Sequence, residues 1–267
     1  MTEQSAVRRV GQLRTNVIFG TIHGMWWSCS KSQQTVLSQE VTTSRLAESL
    51  GERRDERASM VESTIRARNV EDVRVLDAMR QVPRHEFVPK HLQHLAYSDR
   101  SLPIGEGQTI SQPYIVALMT EWAALKPGDR CLEIGTGCGY QTAVLAEVGA
   151  SIVSLEINPR LASEAEFRLR RLGYSAVQVQ CHTADGSMGW PGAAPYDVII
   201  VTAAAAVLPD CLLAQLADSG RMILPIGPHD GIQRLEKWFR RKQADGPATF
   251  ESTFILNVQF VPLQSRT

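Results

Sequence analysis

Three glycines at alternate positions are the residues whose spacing points most directly to chemistry. Gly135, Gly137 and Gly139 follow a short strand candidate at residues 130–134, and a helix-compatible segment comes next. Glycine allows a sharp turn and lets a ligand approach the backbone where a Cβ atom would clash. The first turn of the following helix offers unpaired N–H groups to an electron-rich ligand atom. The segment therefore predicts a strand, a ligand-binding turn and a helix.

The spacing of these glycines favours S-adenosylmethionine over a dinucleotide as the ligand. Dinucleotide-binding turns prefer G-x-G-x-x-G, whereas this turn reads G-x-G-x-G. Glu133 lies two residues before the first glycine, where a carboxylate would be awkward beside a pyrophosphate but suits an ammonium and a sulfonium. The contacts predicted from the turn are Glu133, Gly135, Thr136 and Gly137. A tight strand-to-helix turn with no ligand is the alternative.

Two further acids are predicted to follow neighbouring strands. Glu156 and Ile157 come at the end of the second strand, where a carboxylate can accept hydrogen bonds from both ribose hydroxyls. Asp185 and Gly186 follow the third strand, at the carboxyl edge where open α/β sheets bind ligands, and Asp185 can accept from an adenine amino group. The alternatives are a solvated strand-end acid for Glu156 and an ordinary Asp-Gly turn for Asp185.

The elements that must position these residues form an alternating pattern from residue 126 to 265. It predicts an α/β domain with a doubly wound, mostly parallel, Rossmann-like sheet. The predicted strands are 130–134, 151–157, 177–181, 197–201 and 221–226, with helices at 139–148, 159–172 and 208–216. Strands at 234–241 and 250–261 have no helix between them, so they are expected to form an antiparallel edge pair.

Two segments precede this domain. Residues 56–125 are predicted to form a helical subdomain that covers substrate and cofactor, with helices at 70–82 and 114–125. Within it, residues 102–113 are rich in glycine and proline and read as too irregular for a strand. Residues 1–55 are polar and lack a sustained period, which predicts a loosely ordered extension.

Several separate motifs resemble one known family, the protein-L-isoaspartate (D-aspartate) O-methyltransferases. The strongest is LPIGEGQTISQP at residues 102–113, and VPRHEFV at 82–88 precedes it. The glycine turn with its QTA continuation, VTAA at 201–204 and FVPL at 260–263 also match. The resemblance runs in continuous order from about residue 56 to 264. Residues 1–55, 205–209 and 240–248 depart from the family pattern.

The resemblance implies a class I methyltransferase-like fold and a repair function. S-adenosylmethionine would be the methyl donor, leaving S-adenosylhomocysteine, and the acceptor would be the free carboxylate of L-isoaspartyl residues in damaged proteins and peptides. D-aspartyl residues are an open second substrate. By correspondence Ser111 is the active-site serine, although a helix N-cap ahead of Pro113 is the simpler role for a serine there. Thr109, Ile110 and Ser111 would cover the cofactor.

The amino-acid composition limits the classes of partner that can be expected. Lysine plus arginine and aspartate plus glutamate are both 28, so charge gives no reason to expect nucleic acid or an anionic membrane. Five cysteines without a C-x-x-C pair fit a reducing compartment. His91 and His94 lack further ligands at a suitable spacing, so no metal is expected. We expect a cytoplasmic monomer that binds neither nucleic acid nor membrane.

Three other functions compete with this interpretation. A methyltransferase of the same fold acting on a small molecule or RNA would lack the 102–113 loop. A nicotinamide dehydrogenase would need G-x-G-x-x-G and a proton-relay residue. A cofactor-binding adaptor that has lost catalysis and works through its N-terminal extension is the third, and the intact Ser111, Glu133 and Glu156 argue against that loss.

Overall fold

A computed structural model describes residues 52–241 and 247–266 of the 267-residue chain. Residues 1–51 of the predicted extension lie outside the described residues, as do residues 242–246 of the segment that departs from the family pattern.

The centre of the molecule is a seven-stranded sheet that follows the predicted α/β order. Five strands run parallel and the last two are antiparallel, which confirms the predicted edge pair. Two shorter strands, β1 (Leu102–Gly105) and β2 (Gln108–Ile110), form a separate sheet. The members of the large sheet are β3 (Arg130–Ile134), β4 (Ser151–Glu156), β5 (Val179–Thr183), β6 (Tyr196–Val201), β7 (Leu216–Ile226), β8 (Gln233–Arg241) and β9 (Thr249–Val258). Their order across the sheet is β5-β4-β3-β6-β7-β8-β9.

Alternate residues along the central strands enter two different cores, because successive side chains of a strand point to opposite faces. Cys131 and Val198 pack into the core shared with the N-terminal helices, whereas Leu132 and Ile199 pack into the core on the other face. The central strands are therefore buried on both faces, as is typical of parallel strands.

The helices begin and end at recognisable sequence signals. The N-cap of α2 (Val73–Gln81) is Asp72, whose carboxylate accepts from the Arg74 N–H, and the helix ends before the Val82-Pro83 pair. The N-cap of α5 (Pro159–Arg171) is Asn158, whose side chain accepts from two backbone N–H groups. The helices are α1 (Arg54–Met60), which continues through a π-helical turn (Val61–Ile65) and a 3-10 turn (Arg66–Arg68), α2 (Val73–Gln81), α3 (Pro113–Ala123), α4 (Tyr140–Glu147), α5 (Pro159–Arg171) and α6 (Asp210–Leu213). Further 3-10 turns are Arg84–Phe87, Lys90–Leu95 and Pro191–Ala193.

The prediction that residues 102–113 contain no strand is wrong. Leu102 pairs with Ile110 and Pro103 with Thr109 in an antiparallel hairpin. Its turn is Gly105-Glu106-Gly107, and all three residues have positive φ. The two strands have only four and three residues, so they show no alternating apolar pattern, and their proline and glycine argued against a strand. A tight turn defines the hairpin instead.

The helix predicted at 208–216 is only one turn long in the structure. α6 covers Asp210–Leu213, and the chain is already in β7 at Leu216, which pairs with Tyr196. The Gln215 side chain accepts from the Trp190 N–H and donates to the Met188 carbonyl. These tertiary bonds fix the segment at the sheet and end the helix early.

A buried guanidinium joins the N-terminal helices to the sheet. Arg221 of β7 donates to the carbonyls of Ala123 and Ala124 at the end of α3, and forms an ion pair of 2.7 Å with Asp129. None of the described helices is both long and apolar enough to cross a bilayer.

Candidate active site

The predicted glycine turn lies between β3 and α4 and has the expected left-handed backbone. The φ angles are 96° at Gly135, 54° at Gly137 and 89° at Gly139. A Cβ atom on Gly135 would lie 2.3 Å from Oγ1 of Thr202, which itself donates a 2.6 Å hydrogen bond to the Gly135 carbonyl. Only glycine fits this position, because both the conformation and the space exclude a side chain.

Glu156 is held at the carboxyl end of β4, directly beside the turn. Its Oε2 accepts from the Gly137 N–H at 2.8 Å, and its Oε1 accepts from the Asn158 N–H at 3.0 Å. The carboxylate is buried and lines a narrow cavity above the turn. The strand end therefore presents an oriented acceptor with lone pairs left for a ligand.

The narrow cavity is closed by segments from distant parts of the chain. The β1–β2 hairpin contributes Glu106, Gln108 and Thr109, and the C-terminal tail contributes residues 261–264. Glu106 also forms a 3.0 Å ion pair with Arg160 at the start of α5. The hairpin is thus tied down over the turn, in the position of a lid.

Glu133 lies beneath the turn. It is fully buried, and its Oε2 accepts from the hydroxyls of Thr142 and Ser154 at 2.5 and 2.6 Å. Ser154 in turn shares a 2.6 Å hydrogen bond with Thr136. Burial raises the pKa of Glu133 to about 7, against the two hydroxyl hydrogen bonds that lower it. Glu133 therefore supports the turn from below.

Asp185 and Gly186 follow β5 at the same edge of the sheet. Asp185 accepts from the Ser187 N–H at 2.9 Å and from the Arg266 N–H at 2.6 Å, so it ties the C-terminal tail to this edge. Gly186 lines the narrow cavity, and a Cβ atom there would lie 2.6 Å from Ile134 Cγ2.

Ser111 faces a second, larger cleft of about 570 Å³. Thr109, Thr202 and Val261 line both this cleft and the narrow cavity, so the two spaces meet at these residues. The N-cap of α3 is Gln112, so the capping role weighed for Ser111 is not the one observed. The cleft is further bounded by Arg68, Ser101, Gln112, Ile115, Ile232 and residues 256–260.

Arg84 supports the backbone of Ser111 and was not predicted from the sequence. Its fully buried guanidinium donates to the Ser111 carbonyl at 2.7 Å and to the Ala96 carbonyl at 2.9 Å. Its Cζ also lies 4.7 Å from the ring centroid of Tyr140 in α4. The signal was present in the VPRHEFV motif, but nothing in the sequence showed which loop the arginine would hold.

The structure divides the predicted site residues into two groups. Those that line the narrow cavity or the cleft are Thr109, Ser111, Gly135, Gly137, Glu156, Ile157 and Gly186. Ile110, Glu133, Thr136 and Asp185 are not among the lining residues, and a direct ligand contact by these four stays a prediction. Thr202 and Val261, which line both spaces, were not predicted as site residues.

One cluster of possible metal ligands lies elsewhere in the described part of the chain. Ligand atoms of Glu52, His85 and Glu86 lie within 4.8 Å of one another. Glu86 is ion-paired with Arg171, and Arg53 lies close enough to affect the His85 imidazole. Arg171 already offsets the charge of Glu86, which disfavours a further cation.

Comparison with known proteins shows the family to which the chain belongs. A family model described as protein-L-isoaspartate(D-aspartate) O-methyltransferase matches residues 55–267, which is most of the chain. The chain belongs to this family. The match includes the glycine turn, the hairpin and the C-terminal tail.

Individual members of the family support the same conclusion. A protein-L-isoaspartate O-methyltransferase from Methanoculleus marisnigri is 50% identical over 210 residues, covering 79% of this chain and 92% of the relative. One from Methylorubrum extorquens is 49% identical over 217 residues, covering 81% and 92%.

Two solved structures of the family share the fold. One protein-L-isoaspartate O-methyltransferase superposes with a TM-score of 0.67 at 30% identity, covering 79% of this chain and 66% of that chain. The other is a putative family member from Plasmodium falciparum in complex with S-adenosyl-L-homocysteine, with a TM-score of 0.67 at 25% identity, covering 79% and 99%.

Proposed function

We propose that this protein transfers a methyl group from S-adenosylmethionine to the free carboxylate of L-isoaspartyl residues in damaged proteins and peptides, and so initiates their repair. The observation that carries the proposal is the junction of two spaces at Thr109, Thr202 and Val261. One space lies over a glycine turn and the other contains Ser111, in a chain of the isoaspartyl methyltransferase family.

The residues of the narrow cavity fit an adenosyl ligand. Gly135 leaves backbone where any Cβ would clash, and Glu156 offers carboxylate lone pairs at the strand end where the two ribose hydroxyls would lie. When bound, S-adenosylmethionine would supply a methyl group from its sulfonium. The sulfur would leave as the neutral thioether of S-adenosylhomocysteine. Gly137, Ile157 and Gly186 complete the proposed contacts from the turn and the sheet edge.

The acceptor needs positioning more than activation. A free carboxyl has an ordinary pKa of about 4, so it is already an anion at neutral pH and no general base is required. One carboxylate oxygen forms the new bond to the methyl carbon while the carbon–sulfur bond breaks, and no proton moves. Holding the three atoms in line is worth several kcal/mol, up to about 7–11 in model reactions.

Ser111 is the residue we propose for this positioning. It lines the cleft beside Thr109, and Arg84 fixes its backbone from the buried side. A hydroxyl there can donate to one oxygen of the acceptor carboxylate and leave the other oxygen free to attack. Glu133 and Thr136 act as positioning residues, because their hydrogen bonds hold the turn.

The cellular setting is part of the proposal. We infer that the protein works as a cytoplasmic monomer and does not require nucleic acid. Acidic and basic residues balance, so charge gives no reason to expect nucleic acid as a partner. Light scattering at working concentration tests the oligomeric state. A dimer whose dissociation abolishes activity would contradict it.

Labelled methyl transfer to matched peptides tests the function. The two peptides share one sequence and differ only in carrying isoaspartate or normal aspartate. We expect label in the isoaspartyl peptide and a base-labile ester as the product. Equal labelling of both peptides, or label only in RNA or small molecules, would overturn the assignment.

A further inference from the structure

The larger cleft contains a single formal charge. Of the fourteen described residues that line it, Arg68 alone has a side chain that is charged at neutral pH. The others are apolar residues or the uncharged polar types Ser, Thr, Asn and Gln. An anion that enters this cleft therefore meets one cation and no lining carboxylate.

The Arg68 guanidinium is held in a fixed orientation. Its Cζ lies 3.4 Å from the ring centroid of Tyr114, the distance of a parallel stack. Its Nη1 donates to Asp99 Oδ2 at 2.8 Å, and Asp99 is itself fixed by the Tyr114 N–H and the Gln112 side chain. The stack and the single ion pair leave the other N–H donors of the guanidinium without a hydrogen-bonded partner among the described residues.

We propose that Arg68 is the residue by which the cleft recognises the negative charge of the acceptor carboxylate. The inference rests on the proposed function and goes beyond it, because it assigns the selection of a charged over a neutral acceptor to one side chain. In the reaction an anionic carboxylate and a cationic sulfonium become a neutral ester and a neutral thioether. Arg68 therefore attracts the substrate and has no such attraction for the product.

The surroundings of Arg68 indicate a role in binding rather than in the methyl transfer step. Its side chain is 45% exposed, and Asp99 offsets part of its charge, so the attraction is moderate and screened by salt. A guanidinium that bound the acceptor carboxylate tightly would make it a poorer nucleophile. A moderate, partly shared cation draws the acceptor in and leaves the final alignment to Ser111.

The test uses capped peptides in which the isoaspartyl carboxylate is the only acid. An isoasparaginyl peptide of the same sequence serves as the uncharged competitive inhibitor. In Arg68→Gln we expect the KM for the isoaspartyl peptide to rise about tenfold, while kcat changes less than about threefold. The preference for the charged over the neutral peptide should fall towards one. The affinity for S-adenosylhomocysteine should stay at the wild-type value, which shows that the variant is folded.

Arg66→Gln is the matched control. Arg66 belongs to the same 3-10 turn, is 63% exposed and pairs with Glu62, but does not line the cleft. It should retain the wild-type KM and the wild-type charge preference. Arg68→Lys keeps the charge and should retain part of the preference, although a lysine cannot stack on Tyr114 as a guanidinium does.

A measurement on the wild-type enzyme gives an independent readout. Raising salt from about 50 to about 300 mM should increase the KM of the isoaspartyl peptide without changing the inhibition constant of the isoasparaginyl peptide. An unchanged charge preference in Arg68→Gln, or a KM insensitive to salt, would overturn the role of Arg68 and leave the methyltransferase assignment standing. No methylation of isoaspartyl peptides by the wild-type enzyme would instead overturn the proposed function, and this inference with it.

Discussion

At the scale of single residues, the residues that line the two spaces differ from those that hold the backbone beside them. Gly135, Glu156 and Ser111 face the two spaces, and the sequence identified all three. Glu133 was identified as well, but the structure buries it under the turn. The sequence shows that an acid lies two residues before the glycine turn. It does not show towards which face of the sheet the carboxylate points, because that depends on the pleat and register of β3.

Ser111→Ala tests the positioning hydroxyl. We expect kcat/KM for an isoaspartyl peptide to fall about 10- to 100-fold, the loss of one hydrogen bond to a charged group. The affinity for S-adenosylhomocysteine should change much less, and calorimetry measures it. Ser101→Ala is the matched control, since Ser101 lines the same cleft. A large loss of cofactor affinity with normal turnover of the bound complex would contradict the role.

Glu133 makes the stability of the protein depend on pH. Its pKa is raised from the ordinary 4.5 to about 7 in the folded state, chiefly by burial. The unfolded chain therefore loses this proton before the folded one does. The protonated carboxyl stabilises the folded state fully below about pH 4.5. As the pH rises to about 7 this stabilisation is lost, which lowers the free energy of unfolding by up to about 3 kcal/mol.

Glu133→Gln should remove this dependence. The amide cannot ionise, so the variant should gain stability relative to the wild type between pH 5 and pH 7.5, as measured by urea unfolding. Glu147→Gln is a control acid outside the turn, with a bond to the Tyr174 hydroxyl. A stability difference between Glu133→Gln and wild type that does not vary with pH would show that Glu133 ionises normally.

At the scale of elements, long periodic segments were predictable and short ones were not. The strands at 130–134 and 197–201 and the helix at 159–172 were located within a residue or two, because an apolar run or an amphipathic period defines them. The predictions for the segments that form the β1–β2 hairpin and α6 were wrong for a common reason. Each has too few residues to show a period, and tertiary contacts decide its structure.

The hairpin offers a prediction about ligand release. Glu106 in its turn bonds to Arg160 and Asn158 at the start of α5. Glu106→Gln should alter the free energy of unfolding by less than about 1 kcal/mol, because the pair is exposed. It should nevertheless speed dissociation of S-adenosylhomocysteine severalfold in stopped-flow fluorescence, since the lid is less firmly tied.

Glu251→Gln breaks a comparable exposed pair with Arg241 on the distant β8–β9 edge and serves as the control. It should leave the dissociation rate unchanged. If both variants release the ligand at the wild-type rate, the hairpin is not held by Glu106.

At the scale of the whole molecule, the N-terminal helices and the sheet are joined through buried arginines. Arg221 satisfies carbonyls at the end of α3 and pairs with Asp129, while Arg84 reaches from the segment after α2 to Ser111. The sequence could not show these connections, because the paired groups are far apart along the chain. The family resemblance predicted the common architecture, but the particular contacts appeared only in three dimensions.

Arg221→Met tests this connection. It leaves Asp129 without its cation and two carbonyls without donors, so we expect a loss of about 3 kcal/mol or more in the free energy of unfolding. Arg234→Met is the control, because its side chain is 60% exposed and pairs with Glu236 on the strand surface. Equal destabilisation by the two substitutions, measured by urea unfolding, would show that the buried bonds of Arg221 add little.

The wall shared at Thr109, Thr202 and Val261 has a consequence for inhibitor design. In the proposed reaction the cofactor and the acceptor occupy two spaces that share this wall, so the methyl group would be transferred beside it. A bisubstrate compound that tethers an adenosyl group to an isoaspartyl-like acid through a short linker would fill both spaces. Such a compound should be more selective than one that fills the adenosyl space alone, because it also requires the cleft that contains Ser111.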